Sequence, residues 1–351
     1  MTPTETRHGV FTPILRGLRA EALDCIQANL AVLADQQGGS GTHLALGSAL
    51  RFPVDSTMDT RLSEAAEQVG AEVVQRWDDA DVRDLAEQHP VLYVVADAYE
   101  LPWVPYAGQQ HMEHSFLLLG PSTVADAYHN DTQWGAVRPG VWKIGDTPLP
   151  RATAFTLEVR PTKLDPAAVV AANAAAMTGA VPAIEAYVQG CNEDLPQLVL
   201  DVWVIGRSRL LHAAWLASVG LPAEAAERQA QDWLSFAAQT YVAMRRAQRG
   251  GPLTAPIDTE LHRLLHGDVA LAQDLFVRST VNEALCSVLR LDAVPADGTL
   301  RDLPGYNSFK LVDVINRVED RLGMQVDPRA LTAQNLRDPA SLCRLFVAGE
   351  A

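Results

Sequence analysis

Four side chains are of the types, and in the local settings, that do covalent chemistry. Cys25 opens the run CIQANLAVLADQQGG. There Ile26, Leu30 and Leu33 share one helical face and Gly38-Gly39 stops the period. Asp24 is the expected cap, which puts Cys25 in the first turn, where free N–H groups and the helix dipole favour thiolate over thiol. His111-Met112-Glu113-His114 runs directly into the apolar stretch 115–119. An imidazole entering a strand can take a thiol proton if a third group on the returning strand fixes its tautomer. That strand offers Asp126, Asn130 and Asp131. A two-residue turn at Pro121-Ser122 sets position 129 opposite His114, so all three lie close to it, with Asp126 favoured. The fourth side chain is Ser308. It follows the loop Leu303-Pro304-Gly305 and stands at the cap or first turn of a helix in which Leu311, Val312, Ile315, Val318 and Leu322 keep the period until Gly323.

Other chemistries fare poorly. His111, His114 and Cys25 lack the spacing of a metal site: HxxH on a strand splays two ligands apart, and no CxxC or HExxH accompanies it, so no metal is expected. No GxGxxG or GxxxxGK[ST] loop points to a nucleotide. Arg207 and Arg209 can clamp an anion or line one solvent-facing helix edge. Cys191, Cys286 and Cys343 sit among apolar helical residues and are expected to be inert. His212, Trp215, Trp233 and Tyr241 are expected to pack a helical half of the chain.

The elements that must position these groups fall into zones. Up to about residue 160, short helices mix with strand-like runs at 92–96, 115–119 and 123–128, the last two joined as an antiparallel hairpin. Residues 166–249 are Ala-rich, with helices expected at 166–177, 198–219 and 222–248. In the last of these, Ala226, Ala230, Trp233, Ala237, Tyr241 and Met244 form the buried stripe. Gly250-Gly251-Pro252 marks a linker at 249–257, and helices return from about 258. "ADAY" occurs at 96–99 and 125–128 without a surrounding repeat, as chance or as two similar strand ends. The 351 residues are enough for two or three domains, and 28 basic against 43 acidic residues leave a net charge of −15. That balance argues against nucleic acid or an anionic membrane as partner. The absence of a long apolar run or a signal-like start, and four scattered cysteines, make the cytoplasm the expected compartment.

Residues 299–345 resemble an acyl or peptidyl carrier protein domain. Leu300, Asp302, Leu303, Gly305 and Ser308, then Gly323-Met324-Gln325-Val326, stand where that family has its "LxDLGxDSL" stretch and its later "GVx[IL]" turn. A first helix around 277–291 and a closing helix near 339–347 extend the resemblance over roughly 270–348. It implies a four-helix carrier bundle and 4′-phosphopantetheine on Ser308, placed there by a phosphopantetheinyl transferase. An adenylating ligase or another loading enzyme would then supply the acyl group. Asn307 departs from the family's usual Asp and removes one charge that the transferase would meet; Phe309 replaces Leu or Met.

The first 250 residues resemble the butirosin biosynthesis protein H family. The resemblance rests on Cys25 with its helix, LALGSALRF at 44–52, YELPWVPYAGQQHMEH at 99–114 and VWVIGRSRLLHAA at 202–214. It implies an α+β, papain-like fold performing carrier-dependent acyl transfer to a small-molecule amine through Cys25, His114 and Asp126, the last as orienting acid. The implied division is a catalytic region at 1–165, a helical subdomain of the same unit at 166–255 and a carrier domain at 256–351. Papain relatives often place a glutamine about six residues before the cysteine; here Arg19 stands there, with Arg16 nearby, so the oxyanion hole is unassigned, with the Cys25 N–H and Gln27 as candidates. The same residues with water as acceptor make a thioesterase, or with a peptide substrate a protease. A carrier and docking protein without catalysis is the reading from another class. Residues 296–346 hold seven acidic and seven basic side chains, so the acidic surplus lies elsewhere and fits a cationic acceptor.

Overall fold

The computed structural model describes residues 11–191, 193–251, 256–295 and 298–347. The N-terminal ten residues and 252–255, which include part of the expected linker, lie outside the described residues. In chain order, α1 (Phe11–Gly17) and α2 (Gln27–Gly38) precede α3 (Met58–Val69), β1 (Ala71–Ala80), α4 (Val82–Gln88) and β2 (Leu92–Asp97). Then come β3 (Glu113–Leu118), β4 (Thr123–Asp126), β5 (Asn130–Thr132), β6 (Gly135–Val137), β7 (Gly140–Lys143) and β8 (Ala152–Val159). Helices follow: α5 (Pro166–Gly179), α6 (Val181–Gly190), α7 (Leu195–Ser218), α8 (Glu224–Ala247), α9 (Ile257–Leu289), α10 (Ser308–Leu322) and α11 (Pro339–Val347).

This is a mixed α and β architecture. Six strands form one antiparallel sheet in the order β1-β8-β2-β3-β4-β7, and β5 pairs with β6 apart from it. The central strands read as unbroken apolar runs because both faces are covered. Tyr93, Val95, Leu117 and Ala125 pack with Leu30, Val32 and Leu33 of α2. Leu92, Val94, Phe116, Leu118 and Val124 pack on the other side with Trp103, Tyr106, Tyr128 and Trp142. Residues 27–35 of α2 are all buried, so the helix is enclosed all round rather than along one stripe.

The expected hairpin is present, one residue out of register. Leu117 pairs with Ala125 and Leu118 with Val124. The loop is therefore Gly120-Pro121-Ser122, closed by the Leu119 N–H donating to the Thr123 carbonyl at 2.8 Å. Gly120 takes the positive φ (+63°) that three-residue hairpin loops call for. Carried on, this register sets position 128, not 129, opposite His114. Because faces alternate along a strand, Asp126 then shares the face of His114 as a diagonal neighbour.

The chain divides into two compact units. One holds residues up to Leu164 together with Tyr187–Glu260; the other holds Asp165–Ala186 with the chain from Leu261 onward. This differs from the three-way expectation in the place of α5, which groups with the C-terminal unit. Gln273 of α9 donates to the Ala174 carbonyl at 3.4 Å and also to Thr178 Oγ1. In the first unit α7 packs on α8, and the short turn Thr42–Gly47 packs on α7. A Cβ at Gly47 would lie 2.5 Å from the Leu211 backbone, so only glycine fits that approach. The His212 ring meets the Gly47 carbonyl at 2.8 Å, and burial pushes its pKa down to about 4. The buried stripe of α8 follows expectation through Ala226, Ala230 and Trp233. It then runs through Phe236, Thr240 and Ala243, one position ahead of the expected Ala237, Tyr241 and Met244, so Tyr241 is exposed.

In the C-terminal unit α9 is one helix of 33 residues, so the expected first carrier helix is its second half. Val277, Val281, Leu285 and Leu289 of α9 share a core with Leu311, Val314, Ile315 and Val318 of α10 and with Leu342 and Phe346 of α11. A 3-10 turn at Pro328–Ala330 stands where a four-helix bundle would have its short third helix. Cys343 lies inside this core, where burial pushes its thiol up to about 11. Among the described residues no single helix is long and apolar enough to cross a membrane.

Candidate functional site

Cys25 lies in the turn just before α2, and Asp24 does the capping expected of it. One oxygen of Asp24 accepts from the N–H of Ile26 at 3.0 Å and of Gln27 at 2.7 Å. The other is paired with buried Arg61 at 2.8 Å. The cap has a consequence that the sequence did not suggest. The helix-end N–H groups are spent on a carboxylate, whose charge sits beside the thiol. Burial pushes the Cys25 thiol well above the ordinary range; Asp24 and Asp126 add to this, while Arg207 opposes it more weakly. The resting form is therefore a thiol, not the expected thiolate. Its Sγ donates to the Glu113 carbonyl at 3.5 Å, one residue from His114.

His114 is fully buried on β3, and its Nε2 is 2.7 Å from Oδ2 of Asp126 on β4. Asp126 also accepts from Trp103 Nε1 at 3.2 Å, the Tyr128 N–H at 2.9 Å and Asn29 Nδ2 at 3.4 Å. Burial alone would raise its carboxyl pKa. His114, by charge and hydrogen bond, outweighs burial together with the other donors and holds the carboxyl below the usual carboxylate range. An ionised Asp126 fixes the Nε2–H tautomer of His114. Nδ1 then carries the lone pair, and this buried nitrogen has no hydrogen-bond partner. Tyr128 packs edge-on against the ring, with centroids 5.2 Å apart.

Of the three orienting candidates the structure brings Asp126 alone to His114. Asn130 donates to Tyr106 Oη at 3.2 Å, and Asp131 pairs with Arg138 at 2.6 Å on the surface. His111 stacks on Tyr99 and pairs with Asp97 at 2.5 Å. The two ADAY segments are similar strand ends: Asp97 and Asp126 each close β2 or β4, accept from the N–H of the tyrosine two residues on, and hold a histidine. Arg19 pairs with Glu21 through its side chain.

Sequence reasoning passed over two supports, Asn29 and Ser115, and left Arg207 and Arg209 between two roles. Asn29 of α2 donates to the Ser115 carbonyl at 2.8 Å and accepts from the Ala127 N–H at 3.0 Å, which ties the cysteine helix to both histidine and carboxylate strands. Ser115 Oγ donates to the Cys25 carbonyl at 2.6 Å. Arg207 is buried, not solvent-facing as its helix edge suggested. It donates to the carbonyls of Leu23 and His129, both at 2.6 Å, and lies 4.3 Å over the Trp203 ring. Arg209 is likewise buried and donates to the Arg51 carbonyl at 3.1 Å. One signal for Asn29 was visible: an amide at an otherwise apolar position beside Leu30.

A protonated resting thiol is testable. Alkylation of Cys25 by iodoacetamide, followed by peptide mapping, is expected to rise about tenfold per pH unit through pH 9.5 without levelling, because only the thiolate reacts. A plateau near pH 9, as for an unperturbed thiol of about 8.5, would contradict the raised thiol.

In the C-terminal unit Asn307 caps α10, its Oδ1 accepting from the Lys310 N–H at 2.9 Å. Ser308, the first residue of the helix, is exposed, as are Phe309 and Val312. Gly305 turns the preceding loop at φ +73°. An exposed hydroxyl at the start of a helix, free of capping duty, suits a phosphodiester, whose charge the helix end favours. No curated protein matches the chain. Residues 279–346 match the family of the phosphopantetheine attachment site, and this part of the chain is a carrier domain that holds 4′-phosphopantetheine covalently on a serine and is served by phosphopantetheinyl transferases and loading enzymes.

Proposed function

We propose that the chain is a carrier-dependent acyltransferase in which Cys25 takes an acyl group from a carrier thioester and passes it to an amine. The observation that carries this is His114. One ring nitrogen is held by a buried carboxylate and the other is a buried base without a partner, one residue from the carbonyl that the Cys25 thiol contacts. A cysteine ahead of a central helix, a histidine on one strand and a carboxylate on the next also support the papain-like reading. Of the four serines in the matched stretch, Ser341 is buried, Ser287 is engaged by Arg317 at 2.6 Å, and Ser279 is half-buried inside α9 rather than at a helix start. Exposed Ser308, at the start of α10, is the attachment residue. The bound 4′-phosphopantetheine supplies a terminal thiol that holds an acyl group as a thioester.

The raised thiol decides how the chemistry runs. Cys25 keeps its proton until attack; His114 Nδ1 then accepts it as sulfur bonds to the thioester carbonyl carbon. The tetrahedral centre collapses with cleavage of the carbon–sulfur bond to the departing thiol, which takes the proton from His114. In the second half the amine attacks the Cys25 thioester, His114 accepts the amine proton, and Cys25 leaves as a thiol. Asp126 stays ionised throughout and stabilises the imidazolium form in both halves. The acidic composition outside the carrier core favours a cationic acceptor, and the compartment proposed is the cytoplasm.

The test is the acyl-enzyme itself. Incubation with an acyl thioester and no amine is expected to add one acyl mass, mapped to the Cys25 peptide, with none on Cys25→Ala. Addition of an amine is expected to discharge it as an amide. Discharge as free acid whatever amine is offered would make the protein a thioesterase, and an unlabelled Cys25 would leave only the carrier role.

A further inference from the structure

We propose that Glu185, His262 and His266 form a zinc site on the surface of the C-terminal unit. His262 and His266 stand four residues apart on α9, so both imidazoles leave the same helix face one turn apart. Glu185 of α6 meets them there. Its Oε1 lies 2.7 Å from His266 Nε2 and 3.3 Å from His262 Nε2. The three ligand atoms fall within 4.8 Å of one another, and the two rings are 4.2 Å apart. Three donors thus converge on one point from two helices.

An ion pair explains two imidazoles on one carboxylate oxygen less well than it explains one. Both Nε2 atoms aim at a single oxygen, and a second charged imidazole so close to the first is opposed by like-charge repulsion. A divalent cation removes that conflict, because each neutral imidazole then offers a lone pair. Two imidazoles and a carboxylate match the donor set that zinc prefers, with about 2.0–2.2 Å to each ligand and a tetrahedral geometry that leaves one position open. The side chains are 48%, 35% and 43% exposed for His262, His266 and Glu185, so a water can take the fourth position. The sequence carries the sign as HRLLH at 262–266, a spacing useful only on a helix.

Zinc here would staple α6 to the first half of α9, the helix whose second half supplies Val277, Val281, Leu285 and Leu289 to the carrier core. The site is independent of Cys25 and Ser308, so its failure leaves the proposed transfer untouched.

The test uses the full chain, stripped with a chelator and titrated with Zn²⁺ against a chromophoric competitor. One equivalent is expected in the micromolar range or tighter, weakened at least about tenfold in His262→Ala/His266→Ala and in Glu185→Gln. All three residues are on the surface, so circular dichroism should show an unchanged fold in both variants. X-ray absorption at the zinc edge is expected to show nitrogen and oxygen neighbours with imidazole scattering. Sulfur at about 2.3 Å would place the metal on a cysteine and overturn the assignment. So would equal affinity in the variants, or no saturable equivalent at all.

Discussion

Ser308→Ala is expected to abolish holo-protein formation outright. With a phosphopantetheinyl transferase and coenzyme A, the wild-type chain gains the mass of the arm; the variant gains none, while Ser287→Ala is modified as wild type. The effect is all-or-none because, in the proposed attachment, the Ser308 hydroxyl oxygen is the atom that forms the phosphodiester and no neighbour can replace it. The variant is also a clean one. Asn307, not Ser308, receives the Lys310 N–H, so capping survives. An exposed first-turn serine exchanged for alanine changes stability within about 0.5 kcal/mol. Circular dichroism and melting temperature should match wild type, which separates loss of the acceptor from loss of the fold. Asn307 adds a further reading. A neutral amide caps as well as a carboxylate, so the departure from the family's usual Asp is expected to slow the transferase without disturbing the helix. Modification of Ser308→Ala at wild-type extent would move the attachment site to another serine.

How much of this was legible in the sequence follows the range of the interactions. The α10 helix and its serine were readable because caps, a glycine loop and a 3.6-residue period all lie within twenty residues. The β3–β4 hairpin was readable for the same reason, and its one-residue slip came from counting the loop as two residues when Gly120 also belongs to it. Long-range facts were not readable. The stripe of α8 drifts by one position because the surface of α7 chooses which side is covered. The helical half does not stay together because Gln273, nearly a hundred residues away, holds α5. Nor does local periodicity show where α9 begins, since a helix that feeds one core with its second half reads as a short helix after a linker. The thiol was misread for a different reason. A helix start argues for thiolate only while its N–H groups are free, and here Asp24 occupies them and stands as a like charge beside the sulfur. Asp126 was within reach of sequence reasoning; its four donors were not, because Asn29 and Trp103 arrive from elements far apart in the chain.

Asp126→Asn is expected to lower kcat roughly 10²–10⁴-fold with little change in KM, the signature of a lost transition-state interaction. The reason is the tautomer. All four partners of Asp126 are donors: His114 Nε2, Trp103 Nε1, the Tyr128 N–H and Asn29 Nδ2. An amide offers one acceptor oxygen where the carboxylate offered two. If its NH₂ faces His114, Nε2 must become the acceptor and the proton moves to Nδ1, the nitrogen that takes the thiol proton in the proposed transfer. The same substitution acts on Cys25 with the opposite sign. The Asp126 charge is one of the groups that raise the thiol, so its removal lowers the thiol toward the ordinary range. At pH 8 a larger thiolate fraction follows, and alkylation of Cys25 is expected to speed up while acyl transfer slows down. A purely structural role for Asp126 does not produce that pair of results in a chain that keeps its native circular dichroism. Slower transfer with alkylation unchanged would detach Asp126 electrostatically from Cys25, and transfer at the wild-type rate would remove the carboxylate from the mechanism.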